Sequence, residues 1–289
     1  MSIEPRVIAI GLGFPEGPVF LGNGEVAVTE IRGQCVTRCS EGAKTLVAET
    51  GGGANGATLG SDGDLWVANN GGLSLGPGGY WHAPGGLVEG RIQRVTLEGG
   101  CEDLPDLPGD APHRPNDICF GPDGKLYFTD PRNWEDFANF LVGRVWRLDP
   151  ETREAEVVAD VPMFCNGIGF GPDGRLYVAQ SNIMKIIAFD WTPDGVGEPQ
   201  EFVTLPRGFP DGFCFASDGD LYACGSMGDV IQVYDAEGIL KNTMEFPEHT
   251  EPTNACIGDG TLYVTCSGTG ELLAFDLGIE PLPFFPLRK

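Results

Sequence analysis

The sequence predicts an all-β fold, a six-bladed β-propeller spanning residues 1–289 as one domain. Three observations support it: a turn-plus-strand unit that recurs along the chain, blade-sized spacings between its copies, and the lack of any sustained i, i+3, i+4, i+7 apolar period. The unit reads SDGDLWVAN (61–69), PDGKLYFTD (122–130), PDGRLYVAQ (172–180), SDGDLYACG (217–225) and GDGTLYVTC (258–266), with a degenerate copy GNGEVAVTE (22–30). The turn glycines are Gly24, Gly63, Gly124, Gly174, Gly219 and Gly260, 39 to 61 residues apart. Each interval has room for about four short strands, the content of one propeller blade.

The elements follow in order. In each unit an Asp-Gly or Asn-Gly pair supplies the positive φ of a tight hairpin turn, so these aspartates read as structural. The apolar run after the turn is a second strand. RVWRLDP (144–150), KIIAFDW (185–191), DVIQVYDAEG (229–238) and ELLAFDL (271–277) come later and fit third strands further out in their blades. RVIAI (6–10) is expected to pair into the last blade, because an open ring would expose a strand edge.

Composition narrows the function. The chain has 289 residues, 44 of them Gly and 23 Pro, and a formal net charge of −24. That charge opposes phosphate backbones, so nucleic acid is not an expected partner; it also serves plain solubility. No 18-residue apolar run marks a membrane span, and MSIEPRVIAI lacks the pattern of a secretory leader. The nine cysteines are scattered, with no CxxC pair, and several sit in apolar strands. Reduced thiols in a cytoplasmic protein are expected, and a structural zinc site is not.

The residues before each turn carry the functional signal. Eight positions ahead of the turn glycine stand Glu16, Asn55, Asn116, Asn166 and Asp211; in the last unit Asn254 stands six ahead. First strands line the axis of a propeller, so equal distance from the turn means equal height. The expectation is a ring of oxygen-bearing side chains around one mouth of the central channel. Asn and Asp also begin strands for local reasons, which is the simpler account of Asn254. Two carboxylates with amide carbonyls, and no thiolate or imidazole, suit a hard divalent cation such as Ca²⁺, Mg²⁺ or Mn²⁺. The loop after each second strand lies on the same face. Two of these are long, 69–86 and 130–143, and bring Tyr80, Trp81, His82, Arg132 and Trp134 there; HRPND (113–117) adds His113 and Arg114.

FPEGP (14–18), RPND (114–117), CNGIGFGPDG (165–174) and PDGF (210–213) together resemble the gluconolactonase and regucalcin (senescence marker protein, luciferin-regenerating-enzyme-like) family over essentially the whole chain. The resemblance implies a six-bladed propeller holding one divalent cation, for which Ca²⁺ is the first expectation here, with Zn²⁺, Mn²⁺ or Mg²⁺ as alternatives. It implies Glu16, Asn166 and Asp211 as metal ligands, Asn116 beside metal-bound water or substrate, and Arg114 as a substrate contact. His82 and Arg132 are further candidates for binding substrate. The implied reaction is hydrolysis of a small-molecule lactone, most of all a sugar lactone; the mechanism expected for it is attack by metal-activated water with Asp211 as general base. Two features depart from the family pattern: TDPRNWED leaves open whether Asp130, Glu135 or neither binds a substrate hydroxyl, and the loop around YWHAPGG is unusually long. Two alternatives stand beside this reading. One is a phosphotriesterase-like hydrolase acting through His82 or His113, and the other a non-catalytic cation-binding scaffold. A serine triad is not expected, since no GxSxG elbow occurs.

Overall fold

Six four-stranded antiparallel sheets stand in a ring in the computed structural model, which describes residues 4–283 except Pro77, Phe137, Ala138 and Met163. The blades run 15–49, 54–103, 118–161, 165–204 and 209–245. The sixth joins Pro252–Gly258, Gly260–Cys266 and Glu271–Ile279 to the N-terminal strand Arg6–Ala9. Arg6–Ala9 is the outermost strand of that blade, where Arg6 faces Ala274 and Val7 faces Leu273. The ring is thus closed by pairing the two ends of the chain, and the edge of Glu271–Ile279 is covered.

Second strands such as Leu65–Asn69, Leu126–Asp130 and Leu176–Gln180 are buried at every position. A blade has a neighbour on both faces, so its central strands are apolar throughout rather than alternating. Six apolar clusters fill the six clefts between neighbouring blades. One holds Trp146, Phe128 and Phe120 of blade three against Trp66 and Ile92 of blade two. Outermost strands face water and carry charge, as in Ala43–Glu49 and Leu240–Glu245.

Four residues after five of the ring positions comes a large apolar side chain, Phe20, Leu59, Phe120, Phe170 and Phe215, and in blade six Ile257 stands three after Asn254. These gather at the far end of the axis around a cavity of about 160 Å³, covered by Pro281 and Leu282. That mouth of the channel is therefore lined by apolar side chains, and the polar residues stand toward the other.

Two small hairpins lie outside the blades. Leu73–Gly76 pairs with Gly79–His82 in the first long loop, and Trp191–Thr192 with Gly195–Val196. The sole helical element among the described residues is a 3₁₀ turn at Ser181–Ile183. All nine cysteines are free thiols. No helix of the described residues is long and apolar enough to cross a membrane.

Candidate functional site

The ring residues sit in β-bulges. The register of the first strand slips between Glu16 and Val19, Ala54 and Ala57, Cys165 and Ile168, and Pro210 and Phe213. A bulge leaves a residue out of its own ladder and turns it aside. Here it turns Glu16, Asn55, Asn166 and Asp211 toward the axis. The backbone groups it frees find partners on the next blade. Gly56 N–H donates to the Asn116 carbonyl at 2.6 Å, Thr129 Oγ1 to the Asn166 carbonyl at 2.6 Å, and Ser181 Oγ to the Pro210 carbonyl at 2.7 Å. Thr29 Oγ1 donates to the Asn55 carbonyl. The inner strands can approach this closely because small residues follow the ring positions. A Cβ on Gly212 would overlap the Asn254 amide, and one on Gly56 would overlap Asp117.

Above the ring lies a cavity of about 510 Å³. Glu16, Asn55, Asn116, Asn166 and Asp211 all line it, so five of the six sequence-selected residues meet in one space. Asn254 is not among the lining residues. Its Oδ1 accepts the Ala255 N–H at 2.8 Å, and its Nδ2 reaches Asp117 Oδ2 at 3.3 Å and also serves Glu16.

Asp117 escaped the sequence reading. Where other blades place Gly17, Gly56, Gly167, Gly212 or Ala255, blade three places a carboxylate, and that break in a small-residue pattern was the available signal. It is 7% exposed, and its Oδ1 accepts the Ile118 N–H at 2.9 Å.

Three acidic groups therefore share a buried axis. Burial pushes the Glu16 carboxyl well above its ordinary value, and the charges of Asp211 and Asp117 push it further. Asp211 is pushed up to about 8 by burial and then by Asp117, against hydrogen bonds from Asn166 and Ser226. Asp117 is pushed up to about 6, chiefly by burial. No Lys, Arg or His stands among the residues lining the cavity. Among the described residues no three His, Cys, Asp or Glu side chains form a metal cluster by themselves. The donors available to an ion are the carboxylates of Glu16 and Asp211 with amide oxygens. Asn166 gives its Nδ2 to Ser181 Oγ at 3.2 Å and also serves Asp211, which leaves its Oδ1 for a cation. Such an all-oxygen, doubly anionic set fits a hard divalent ion, which would also relieve the repulsion. No side-chain hydrogen bond engages the amides of Asn55 and Asn116 among the described residues, so both can meet a ligand.

The other sequence-selected residues are placed elsewhere. Arg114 is buried, and its Nη1 donates to the carbonyls of His113 at 2.8 Å and Val88 at 3.2 Å, with Glu135 at 3.8 Å from its Nη2. Arg132 is buried and donates to the Asp110 carbonyl at 2.6 Å. His82 is exposed on the small hairpin. None of the three lines the cavity. Asp130 is fully buried and holds the surrounding loops together. It accepts the Arg114 and Arg132 N–H groups at 2.8 and 3.0 Å, His113 Nδ1 at 2.8 Å and Trp146 Nε1 at 3.2 Å. His113 is thereby a buried partner of Asp130, away from the cavity.

Comparison with known proteins follows the same outline. The chain is 24% identical to a gluconolactonase of Zymomonas mobilis, over 92% of this chain and 80% of that protein. Its fold matches a gluconolactonase from Xanthomonas campestris (TM-score 0.75, 22% identity, 96% and 95% of the two chains covered). It also matches regucalcin, a calcium-binding protein, from Agrobacterium tumefaciens (TM-score 0.77, 18% identity, 99% and 98% covered). At these identities the structural matches speak to the fold alone. The family model of the SMP-30/gluconolactonase/LRE-like region matches residues 14–268, and with that span covered the chain belongs to this family.

Proposed function

We propose that this protein hydrolyses lactones with a divalent cation, Ca²⁺ foremost, held by Glu16, Asn166 and Asp211. One observation carries the reading: two carboxylates, Glu16 buried and Asp211 part-buried, raised in pKa and without a cationic neighbour, form the floor of a cavity large enough for a small cyclic ester. Membership of a family with a gluconolactonase relative supports the same reaction class. A bound divalent ion supplies Lewis acidity toward the ester carbonyl and acidifies water.

The chain's own groups do the rest. Asp211 Oδ takes a proton from the attacking water as the water oxygen bonds to the carbonyl carbon. The Asn116 amide, free of other partners, donates to the carbonyl oxygen as negative charge gathers there. The ring carbon–oxygen bond then breaks, and the proton held by Asp211 passes to the leaving alkoxide. The product is a hydroxy acid. Arg114, Arg132 and Asp130 act by holding the loop that carries Asn116.

The test is acid release from a panel of lactones, with and without EDTA, and with a phosphotriester in parallel. Lactone hydrolysis lost in EDTA and restored by Ca²⁺, Mn²⁺ or Zn²⁺ is the expected result. Turnover of the phosphotriester alone, or tight cation binding without turnover of either, would replace this reading with one of the two alternatives.

A further inference from the structure

Each proposed metal ligand has a phenylalanine two positions earlier: Phe14 before Glu16, Phe164 before Asn166 and Phe209 before Asp211. Phe209 opens its strand, and Phe14 and Phe164 lie one residue ahead of theirs, where the chain enters the blade from the loops. All three line the cavity, as do Leu75, Trp134 and Met227 from the loops above. Trp134 meets Phe164 edge-on with centroids 5.3 Å apart, and the Arg32 guanidinium backs Phe14 at 4.9 Å. Phe209, Leu75 and Met227 are 41%, 40% and 58% exposed. Large apolar groups left open and gathered at one mouth mark a surface that takes an apolar ligand.

Polar groups also line the cavity, Asn182, Ser226 and Glu251 among them, and two beside the apolar collar are committed to the protein itself. The Asn70 amide closes its own turn onto Gly72 and Leu73, and Ser74 accepts Arg32. A polyhydroxylated ring seated against this collar would exchange water for phenyl and alkyl walls at the hydroxyls that face it, and an unpaired buried hydroxyl weakens binding.

We propose that the substrate of this site is a lactone bearing an apolar alkyl or aryl substituent, seated against Phe14, Phe164 and Phe209, rather than a sugar lactone. The ester part of this proposal rests on the lactone-hydrolase reading above; the substituent rests on the apolar collar alone.

The calcium-loaded protein is assayed on γ-butyrolactone, on its γ-propyl, γ-hexyl and γ-phenyl derivatives, and on gluconolactone. Burial of each methylene raises kcat/KM about fourfold until the collar is filled, and gluconolactone falls at the bottom of the series. Met227→Ser and Phe209→Ser flatten the climb. A flat wild-type series, or gluconolactone turned over faster than the γ-hexyl lactone, overturns the proposal. Should no lactone be hydrolysed, the lactonase reading fails by itself, and fluorescence decides the collar separately. Saturable quenching by the γ-hexyl and γ-phenyl lactones that disappears in Trp134→Phe upholds an apolar ligand; no quenching up to their solubility limits overturns it.

Discussion

Replacing Asp117 with asparagine should stabilise the cation-free protein at alkaline pH and destabilise it in acid. The carboxyl is raised from an ordinary 3.8 to about 6, mainly by burial. Its folded pKa lies above its unfolded one, so the stability it contributes is full below the unfolded value and is lost as pH rises through 6. The gap of about two pH units amounts to about 3 kcal/mol against the native state at pH 8. A neutral amide in its place would escape this penalty. It would keep an oxygen for the Ile118 N–H but offer no acceptor to Asn254 Nδ2, a loss of about 1 kcal/mol. The net gain, about 2 kcal/mol, should raise Tm by about 3 °C in a chain of this size. At pH 4 wild-type Asp117 is largely protonated when folded and little penalised, so the lost hydrogen bond prevails and the variant melts lower. Circular dichroism melts in EDTA at pH 4 and pH 8 measure both. A variant that melts no higher than wild type at pH 8, or changes alike at both pH values, would refute the argument that a buried charge at Asp117 strains this axis.

Asp211→Asn should lower kcat/KM for lactones by about 10² to 10⁴, the usual worth of a general base, while its circular dichroism spectrum stays that of the wild type. EDTA should abolish lactone hydrolysis, and titration with Ca²⁺ should restore it and raise Tm together, followed by calorimetry. Asp130→Ala strips one buried carboxylate from four donors and should cost about 3–5 kcal/mol, read from urea unfolding. Deleting residues 1–9 removes the strand that pairs with Glu271–Ile279, buried Ile8 included. It should lower the urea midpoint and promote self-association through the bared edge, visible by light scattering.

Much of the fold could be read from the chain because a propeller repeats. Second strands are buried on both faces, so LYVAQ, LYFTD and LYACG resemble one another and mark the blades. Fourth strands such as Leu240–Glu245 face water, where no common packing constrains them, and they leave no repeat to find. The need to close the ring puts the N-terminal strand in the right blade.

The ring is legible for the same reason. Counting from a hairpin turn measures height on the axis, and Glu16, Asn55, Asn116, Asn166 and Asp211 come out level. Counting two residues back would have exposed Phe14, Phe164 and Phe209 as well. Asp117 could have been noticed as a carboxylate where its counterparts are Gly or Ala. The roles of Arg114, Arg132 and His82 could not be read this way. A loop residue's direction depends on which carbonyls and carboxylates approach from distant segments, here Val88, Asp110 and Glu135.

By itself, then, the amino-acid order determined the number of blades, the strand that closes them and the height at which oxygen-bearing side chains meet. These follow from local turn chemistry and from a period each blade repeats. Only the tertiary structure decided that bulges turn those side chains inward, that three carboxylates share one axis, and that phenyl groups crowd its mouth. Burial and charge proximity arise between residues far apart in the chain, so no stretch of sequence carries them alone.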